Sequence, residues 1–369
     1  MLASGESAWD NALKYSSLGL ALAWAATANA APQASGPAST TLFEVRLQAA
    51  VQEIQAQNLS VIVGVSHNGG ETRLYEFGAL TTDDIPPEAT QVDINSITKT
   101  VTAVAVAKLA EQGRLRFDER LDEIFPDVPH DKAGITVHHL LTHSAGLPES
   151  VGEDGERLGR EELLNRLWVT DLQSRPGATY AYSNAGYGLL AAIVEVRSGK
   201  PFETYLREDV LPGERLPNTG YETVFVPERS ARTRDGRTIR DASWGGHEPY
   251  WNLIGNGGLI STVPEMIAFL GALKRGELIA PQLLQTLLHP HMREGDNAKS
   301  FYGYGLVVDD VPGVGRIYWH DGGNDVFTAW WADFADAGDI LFTAGQGEDA
   351  FAAASILAHY LFRIDGHAR

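Results

Sequence analysis

The sequence predicts an α+β protein in which a mixed antiparallel sheet is flanked by helices and built from both ends of the chain. Two observations lead to this prediction. Short apolar runs typical of strands occur near residue 60 and again after Phe301, whereas helical apolar spacing dominates the residues between them. We therefore expect an α/β part at about 41–128 and 253–365, with a mainly helical and loop insertion at about 129–252.

The elements of this fold follow in order. Leu42 to Gln57 has the apolar spacing of a helix, and two strands then flank His67-Asn68-Gly69-Gly70, a sequence typical of a tight hairpin turn. Thr136 is placed to cap one further helix, and Ser183-Asn184 begin another, for which Asn184 is the candidate cap. The remaining predicted elements are a charged helical stretch at 150–175, a helix containing Met266–Leu273, strands at Tyr304–Val308, Arg316–Trp319, Thr328–Asp333 and Ile340–Ala344, and a final helix at about Phe351–Phe362.

The overall composition excludes several classes of protein. The 369 residues carry a net charge of −19 without a basic block, so we expect no nucleic-acid partner. There is no cysteine, which rules out disulfides, cysteine nucleophiles and thiolate metal sites. The oligomeric state cannot be inferred from these numbers.

The N-terminal segment has the pattern of a secretory signal peptide. In residues 1–30 an apolar run ends in an A-x-A cleavage pattern at residues 28–30, and a linker follows at 31–40. Glu6 and Asp10 lie where a signal peptide has positive residues, so a start downstream of Met1 or a plain hydrophobic helix are the alternatives. The apolar run is short for a membrane span. We expect a periplasmic or secreted protein without stable membrane insertion once the segment is removed.

A serine and a lysine three residues apart open a nearly apolar helix. Ser96 and Lys99 share one helical face at this spacing, and the residues that follow, as far as Gly113, are mostly small or β-branched. Burial disfavours the charged form of the lysine amine and lowers its pKa, so that Lys99 can act as a base. Ser96 beside that base is a candidate nucleophile.

Two further motifs accompany this pair. Tyr182-Ser183-Asn184 lies 86 residues beyond Ser96, and His320-Asp321-Gly322 lies 138 residues beyond Tyr182. In motif, order and spacing the chain resembles the serine β-lactamase and penicillin-binding superfamily. Within it, the chain is similar to the class C-like branch, which includes D-aminopeptidases, D-Ala-D-Ala carboxypeptidases and family VIII esterases. The resemblance covers residues 42–365 and implies a β-lactamase/transpeptidase-like fold.

The resemblance also implies roles for individual residues. Ser96 would attack an acyl carbon, Lys99 and Tyr182 would handle its proton, and Tyr182 would be the base for the water that releases the product. Asn184 would hydrogen-bond Lys99 or a substrate amide. The N–H groups of Ser96 and Gly323 would form an oxyanion hole, worth about 3–4 kcal/mol per donor in comparable sites. Close to two amines, Tyr182 is expected to lose its proton more easily than its free pKa of about 10 suggests.

The third motif departs from the β-lactamase pattern. His320-Asp321-Gly322 stands where β-lactamases have Lys-Thr-Gly, whose lysine and threonine help to hold the substrate carboxylate. A histidine is neutral about half the time near pH 6.5 and is a weaker anchor for a carboxylate. We therefore expect His320 and Gly322 to contribute to substrate binding in an enzyme closer to esterases and D-peptidases than to β-lactamases.

Other residues leave alternatives open. His139 and His143 have the i, i+4 spacing of zinc ligands, but no glutamate lies between them, and packing is the alternative. The aromatic segment 244–251 could line a cleft or pack in the core.

Taken together, these residues predict a serine hydrolase that works through an acyl-enzyme. The expected substrate is a small ester or a D-amino-acid peptide, and neither a cofactor nor a metal is expected. The alternative is a β-lactamase, or a penicillin-binding sensor that is acylated and releases the acyl group slowly.

Overall fold

The computed structural model describes residues 37–80, 84–211 and 214–364, so the predicted signal segment 1–30 lies outside the described residues. The main sheet has eight strands in the order β2-β1-β10-β9-β8-β7-β6-β5, and each neighbouring pair is antiparallel. A small second sheet pairs β3 with β4. The strands are β1 Val61–Ser66, β2 Arg73–Phe77, β3 Val92–Asp93, β4 Ile260–Ser261, β5 Met292–Arg293, β6 Phe301–Tyr302, β7 Val307–Val311, β8 Gly315–Gly323, β9 Phe327–Phe334 and β10 Asp339–Gln346.

Helices cover the sheet and fill the middle of the chain. The strands of the main sheet come from residues 61–77 and 292–346, on either side of a mainly helical region, as the sequence predicts. In the described ranges, no helix is both long and apolar enough to cross a membrane. The helices are α1 Pro37–Ala56, α2 Thr98–Glu111, α3 Val137–Leu141, α4 Arg160–Val169, α5 Asn184–Ser198, α6 Phe202–Tyr205, α7 Ile239–Ala242, α8 Val263–Lys274, α9 Pro281–Leu287 and α10 Asp349–Phe362.

Local signals in the sequence account for several of these elements. Asn68 and Gly69 both have positive φ, at 52° and 69°, which is the backbone a two-residue turn needs between β1 and β2. Thr136 caps α3 by accepting the N–H of His139, as predicted. At α5 the cap is Ser183, which accepts the N–H of Gly186, and Asn184 is the first residue inside the helix, so the cap expected at Asn184 is wrong by one residue.

Three predicted boundaries are wrong. The first helix begins at Pro37, so the last residues of the predicted linker 31–40 are helical; a proline fits the first turn, where a backbone N–H would have no partner. Of the charged stretch 150–175, only α4 is helical. The strand predicted from Tyr304 begins at Val307 instead.

Helix α2 lies at the centre of the molecule. Eleven of its fourteen residues are buried, and it packs on α5 while the short 3₁₀ turn before it, Asn95–Ile97, packs on β8 and β9. Two buried threonines bind neighbouring loops: the hydroxyl of Thr100 donates to the carbonyl of Gly305 at 2.6 Å and that of Thr102 to Gly255 at 2.7 Å. The start of α2 is therefore fixed against the sheet on one side and the helical region on the other.

Candidate active site

The structure brings the predicted serine and lysine into contact. Ser96 lies in the 3₁₀ turn and Lys99 in the first turn of α2, and the Lys99 Nζ lies 3.0 Å from the Ser96 Oγ. The same amine donates to the backbone carbonyl of Asn256 at 2.8 Å. The Lys99 amine thus connects the nucleophile to a loop more than 150 residues away, and these two contacts fix the direction in which the amine points.

The Lys99 amine is fully buried, and its surroundings favour the neutral form. Loss of contact with water lowers its pKa from 10.5 to about 7, although the carboxylates of Asp154, Asp321 and Glu149 oppose this by favouring the charge. An amine with a pKa near neutrality can accept a proton from a hydroxyl 3.0 Å away. Lys99 therefore has both the position and the basicity of a general base.

Tyr182 lies beside this pair. Its ring centroid is 4.7 Å from the Lys99 Nζ, and its ring packs 4.4 Å from that of His143. Burial raises the pKa of Tyr182 well above 10, and this outweighs the lowering caused by a hydrogen bond with Ser96. The expectation that Tyr182 loses its proton easily is therefore wrong for the unliganded site.

The Asn184 Oδ1 does not accept a hydrogen bond from Lys99. Among the described residues, this oxygen is buried without a hydrogen-bond partner, and Asn184 lines the cleft next to Ser96. The Lys99 amine donates instead to the carbonyl of Asn256. A buried amide oxygen without a partner costs free energy, which a hydrogen-bond donor would recover.

His320 on β8 is buried and held on both ring nitrogens. Its Nδ1 faces the carbonyl of Asp321 and must donate to it, so its Nε2 accepts the hydroxyl of Tyr302 at 2.9 Å. Burial, together with the charge of the neighbouring Lys99, lowers its pKa to about 3, although the hydrogen bond to the Asp321 carbonyl acts in the opposite direction. His320 is thus neutral throughout the physiological range, not half-charged near pH 6.5 as its free pKa suggests.

The two glycines of β8 differ in what surrounds them. A Cβ at Gly322 would lie 2.6 Å from the backbone nitrogen of Ser96 and 2.7 Å from the Asn95 Cβ. Gly323 is exposed and lines the cleft; the nearest atom to a Cβ there would be the Thr328 methyl group at 3.2 Å, with the next atoms at 3.8 Å. Gly322 is therefore required for β8 to approach the nucleophile, whereas Gly323 presents its backbone to the cleft.

The cleft around Ser96 has an empty volume of about 390 Å³, counting space open to solvent. Its wall contains two carboxyl groups, Asp93 and Asp154. Burial raises the pKa of Asp93 to about 6 and also raises that of Asp154. The lining residues are Asp93, Asn95, Ser96, Asp154, Asn184, Ser243, Leu253, Asn256, Gly257, Gly258, Gly323 and Asn324.

The comparison with known proteins decides the family. The Beta-lactamase family model matches residues 47–349. The chain belongs to this family. Penicillin-binding protein 4* of Bacillus subtilis is 25% identical over 320 residues, which cover 80% of this chain and 69% of the relative. A putative penicillin-binding protein of the same organism is 24% identical over 223 residues, covering 58% of this chain and 53% of the relative.

Solved structures give the same fold. The D-amino acid amidase from Ochrobactrum anthropi SV3, complexed with D-phenylalanine, superposes with a TM-score of 0.72 over 85% of this chain and 98% of the amidase, at 22% identity. At that identity the likeness shows the fold alone. The predicted β-lactamase/transpeptidase-like fold and superfamily are both confirmed, and the family is one of serine hydrolases.

In this beta-lactamase-family chain, the two histidines left open by the sequence are hydrogen-bonded: the Nδ1 of His139 accepts the N–H of Thr136, and that of His143 accepts the N–H of Ser183. Among the described residues, neither belongs to a group of three or more side chains that could hold a metal ion.

The aromatic segment 244–251 is divided between the two alternatives. Trp244 is fully buried and donates to the carbonyl of Gly258 in the cleft wall. Tyr250 and Trp251 are only partly buried.

Two functional positions in the cleft were missed by the sequence analysis. Asn256 acts through its backbone carbonyl, which any residue has, so its identity carries no signal. Asn324 lies two residues beyond the third motif, and its position next to Gly323 could have drawn attention to it.

Proposed function

We propose that this protein is a serine hydrolase that cleaves ester or amide bonds through an acyl-enzyme on Ser96. The observation that carries the proposal is the 3.0 Å contact between the Ser96 Oγ and a fully buried amine whose pKa is about 7. A hydroxyl in contact with a neutral amine, at the edge of an open cleft, meets the requirement for an activated nucleophile.

Acylation uses the groups that the structure brings together. The Ser96 Oγ attacks the acyl carbon while its proton passes to the Lys99 Nζ. The developing negative oxygen is stabilised by the N–H groups of Ser96 and Gly323. When the tetrahedral intermediate collapses, the bond to the alcohol or amine breaks, and that leaving group takes the proton from Lys99. The enzyme is left as the Ser96 ester, with Lys99 neutral again.

Deacylation needs a water molecule in place of the leaving group. Because burial keeps the Tyr182 phenol protonated, we assign it as a relay: its oxygen accepts a proton from water while its own proton moves to Lys99. The resulting hydroxide attacks the acyl carbon. As the tetrahedral intermediate collapses, Lys99 returns its proton to the Ser96 Oγ and the acid leaves. The proton count is unchanged over the full cycle.

The charges around the cleft support esters and D-aminoacyl amides as the substrate class. His320 is neutral and its ring is occupied, so it offers no cation to a substrate carboxylate. Three carboxylates, those of Asp154, Asp321 and Glu149, act on Lys99 and would repel an anionic substrate. The structural likeness to a D-amino acid amidase agrees with this class, although the acyl donor itself is a proposal.

The first experiment is the initial rate of p-nitrophenyl butyrate hydrolysis by the wild type and by Ser96→Ala. We expect turnover to be lost in the variant with unchanged folding, as measured by circular dichroism. The matched control is Ser66→Ala on β1, whose hydroxyl donates to a hairpin carbonyl outside the cleft. Equal activity of wild type and Ser96→Ala would refute the nucleophile.

The acylated-sensor alternative is supported by the penicillin-binding relative. Exposure to benzylpenicillin followed by intact mass measurement distinguishes the two: a sensor retains a stable adduct on Ser96, whereas a hydrolase returns to its starting mass.

We also propose that the protein is exported. The support is the signal-peptide pattern of residues 1–30, which ends in the A-x-A sequence at 28–30.

A further inference from the structure

Asn324 lies at the turn between β8 and β9, directly after the glycine that presents its backbone to the cleft. Its backbone N–H donates to the carbonyl of Phe327 at 3.0 Å, and its Oδ1 accepts the N–H groups of Val326 and Phe327, each at 2.8 Å. The oxygen is thus committed to the turn. The Asn324 Nδ2 must therefore face the opposite way, so the orientation of its amide is determined.

The Asn324 Nδ2 faces the segment that leads to the nucleophile. It lies 3.0 Å from the Oδ1 of Asn95 and 3.0 Å from the Oγ of Ser243, with the Oδ2 of Asp93 at 3.4 Å. All three acceptors line the cleft. Two N–H groups are thus shared among three acceptors from two separate parts of the chain, the segment 93–95 and Ser243.

Asn95 completes the connection from the nucleophile side. It has a left-handed backbone, with φ 48°, and directly precedes Ser96. Its N–H donates to the Asp93 Oδ1 at 2.8 Å, and its Nδ2 donates to the carbonyl of Phe327 at 3.2 Å. Asparagine tolerates this conformation better than most residues. The strained turn before Ser96 is therefore bonded to the same β8–β9 turn that holds Asn324.

We infer that Asn324, with Asp93 and Asn95, is a positioning residue that holds the N–H of Gly323 and the N–H of Ser96 at a fixed separation. The inference rests on the proposed function, in which these two groups bind the oxyanion. Because Gly322 lies close to the Ser96 nitrogen, β8 and the turn that contains Ser96 are in contact there. The hydrogen bonds of Asn324 keep these two segments from moving apart. Such donors act only when their positions are fixed before the reaction.

The test uses two substitutions that divide the functions of Asn324. Asn324→Ala removes both the turn contacts and the bonds to Asn95 and Ser243. Asn324→Asp retains an oxygen for the turn but replaces the donor by an acceptor that faces the oxygens of Asn95 and Asp93. We expect both to lower kcat for p-nitrophenyl butyrate by at least about tenfold, because a displacement of about 1 Å at a reacting centre can cost a hundredfold, while KM changes by less than about threefold.

A second measurement reports on the oxyanion site alone. Phenylboronic acid adds to a serine oxygen and gives a tetrahedral anion, so its inhibition constant should rise by about the same factor as kcat falls. The matched control is Asn68→Ala, which removes another positive-φ asparagine from a hairpin turn, that between β1 and β2. That variant should lose stability without a change in kcat.

The outcomes are distinct. If either Asn324 variant folds and keeps kcat within threefold of the wild type, or if kcat falls while the boronic acid constant is unchanged, the inference is wrong. Should Asn324→Ala fail to fold, Asn324→Asp decides, since it keeps an acceptor for the turn. If the wild type shows no Ser96-dependent turnover, the proposed function has failed instead.

Discussion

Replacement of Lys99 by methionine should abolish turnover and yet make the protein more stable at neutral pH. Lys99→Met keeps an unbranched side chain of similar length in a fully buried position and removes only the amine. The amine is the base in the proposed reaction, so the rate should be lost. Its burial also opposes folding, because the charged form is favoured in water.

The size of this effect follows from the pKa of Lys99. Each pKa unit is worth about 1.4 kcal/mol. Where Lys99 is charged in both the folded and the unfolded chain, lowering its pKa from 10.5 to about 7 on folding therefore reduces the free energy of unfolding by about 5 kcal/mol. That cost applies in full below pH 7. Between pH 7 and 10.5 the unfolded chain binds more protons than the folded one, so the stability of the wild type rises with pH.

The loss of hydrogen bonds reduces the gain in the variant. The amine bonds to the Ser96 Oγ and the Asn256 carbonyl are each worth about 1 kcal/mol. We therefore expect Lys99→Met to be about 2–4 kcal/mol more stable than the wild type near pH 7. This advantage should shrink by roughly 1.4 kcal/mol per pH unit above pH 7.

Urea unfolding of wild type and variant at pH 6.5, 7.5, 8.5 and 9.5, followed by circular dichroism, measures this difference. Lys108→Met on the same helix is the control, since that amine is partly exposed and paired with Glu111. A difference in unfolding free energy that stays constant over this pH range would refute the reasoning, as would a variant less stable than the wild type at pH 7.

Three further outcomes are expected. Gly322→Ala should lower both the melting temperature and turnover because its methyl group would meet the Ser96 backbone nitrogen at 2.6 Å, whereas Gly323→Ala should melt close to the wild type; equal melting of the two variants would contradict this. Tyr182→Phe should slow release of the acyl group, so intact mass should show an accumulating acyl-enzyme with p-nitrophenyl butyrate, and rapid return to the starting mass would argue against the relay. In a Gram-negative host, mass measurement of the periplasmic protein should show cleavage after residue 30, and an uncleaved cytoplasmic chain would argue against export.

The parts of the fold that depend on neighbours in sequence could be predicted. The contact between Ser96 and Lys99 follows from helical spacing, the cap at Thr136 from its hydroxyl, and the hairpin turn from Asn68 and Gly69. The eight-stranded sheet could be anticipated in outline because strand patterns occur on both sides of a helical region. The limits of elements were less accurate, since tertiary packing decides where a helix or strand stops.

The properties that depend on distant parts of the chain could not be predicted. The direction of the Tyr182 pKa shift depends on how much protein surrounds the phenol, and the neutral state of His320 depends on burial and on the neighbouring Lys99. The bond from Lys99 to Asn256 uses a backbone carbonyl, which leaves no mark in the sequence. Asn324 gains its importance from acceptors in two distant segments, 93–95 and Ser243.

The pairing of β1 with β10 has a consequence for how the protein folds. Val61 of β1 lies opposite Gly345 of β10. One edge of β1 can therefore pair only after nearly all of the described chain has been made. Contacts between residues so far apart raise the contact order, and loop-closure entropy then slows the rate-limiting step. While the chain is being synthesised, both edges of the hairpin of β1 and β2 are unpaired, because β2 is the last strand of the sheet and β1 still lacks β10. These edges are open to association with other chains. Dilution or a chaperone should therefore raise the yield on refolding, and the gain should be larger than for a protein whose strands pair with their sequence neighbours.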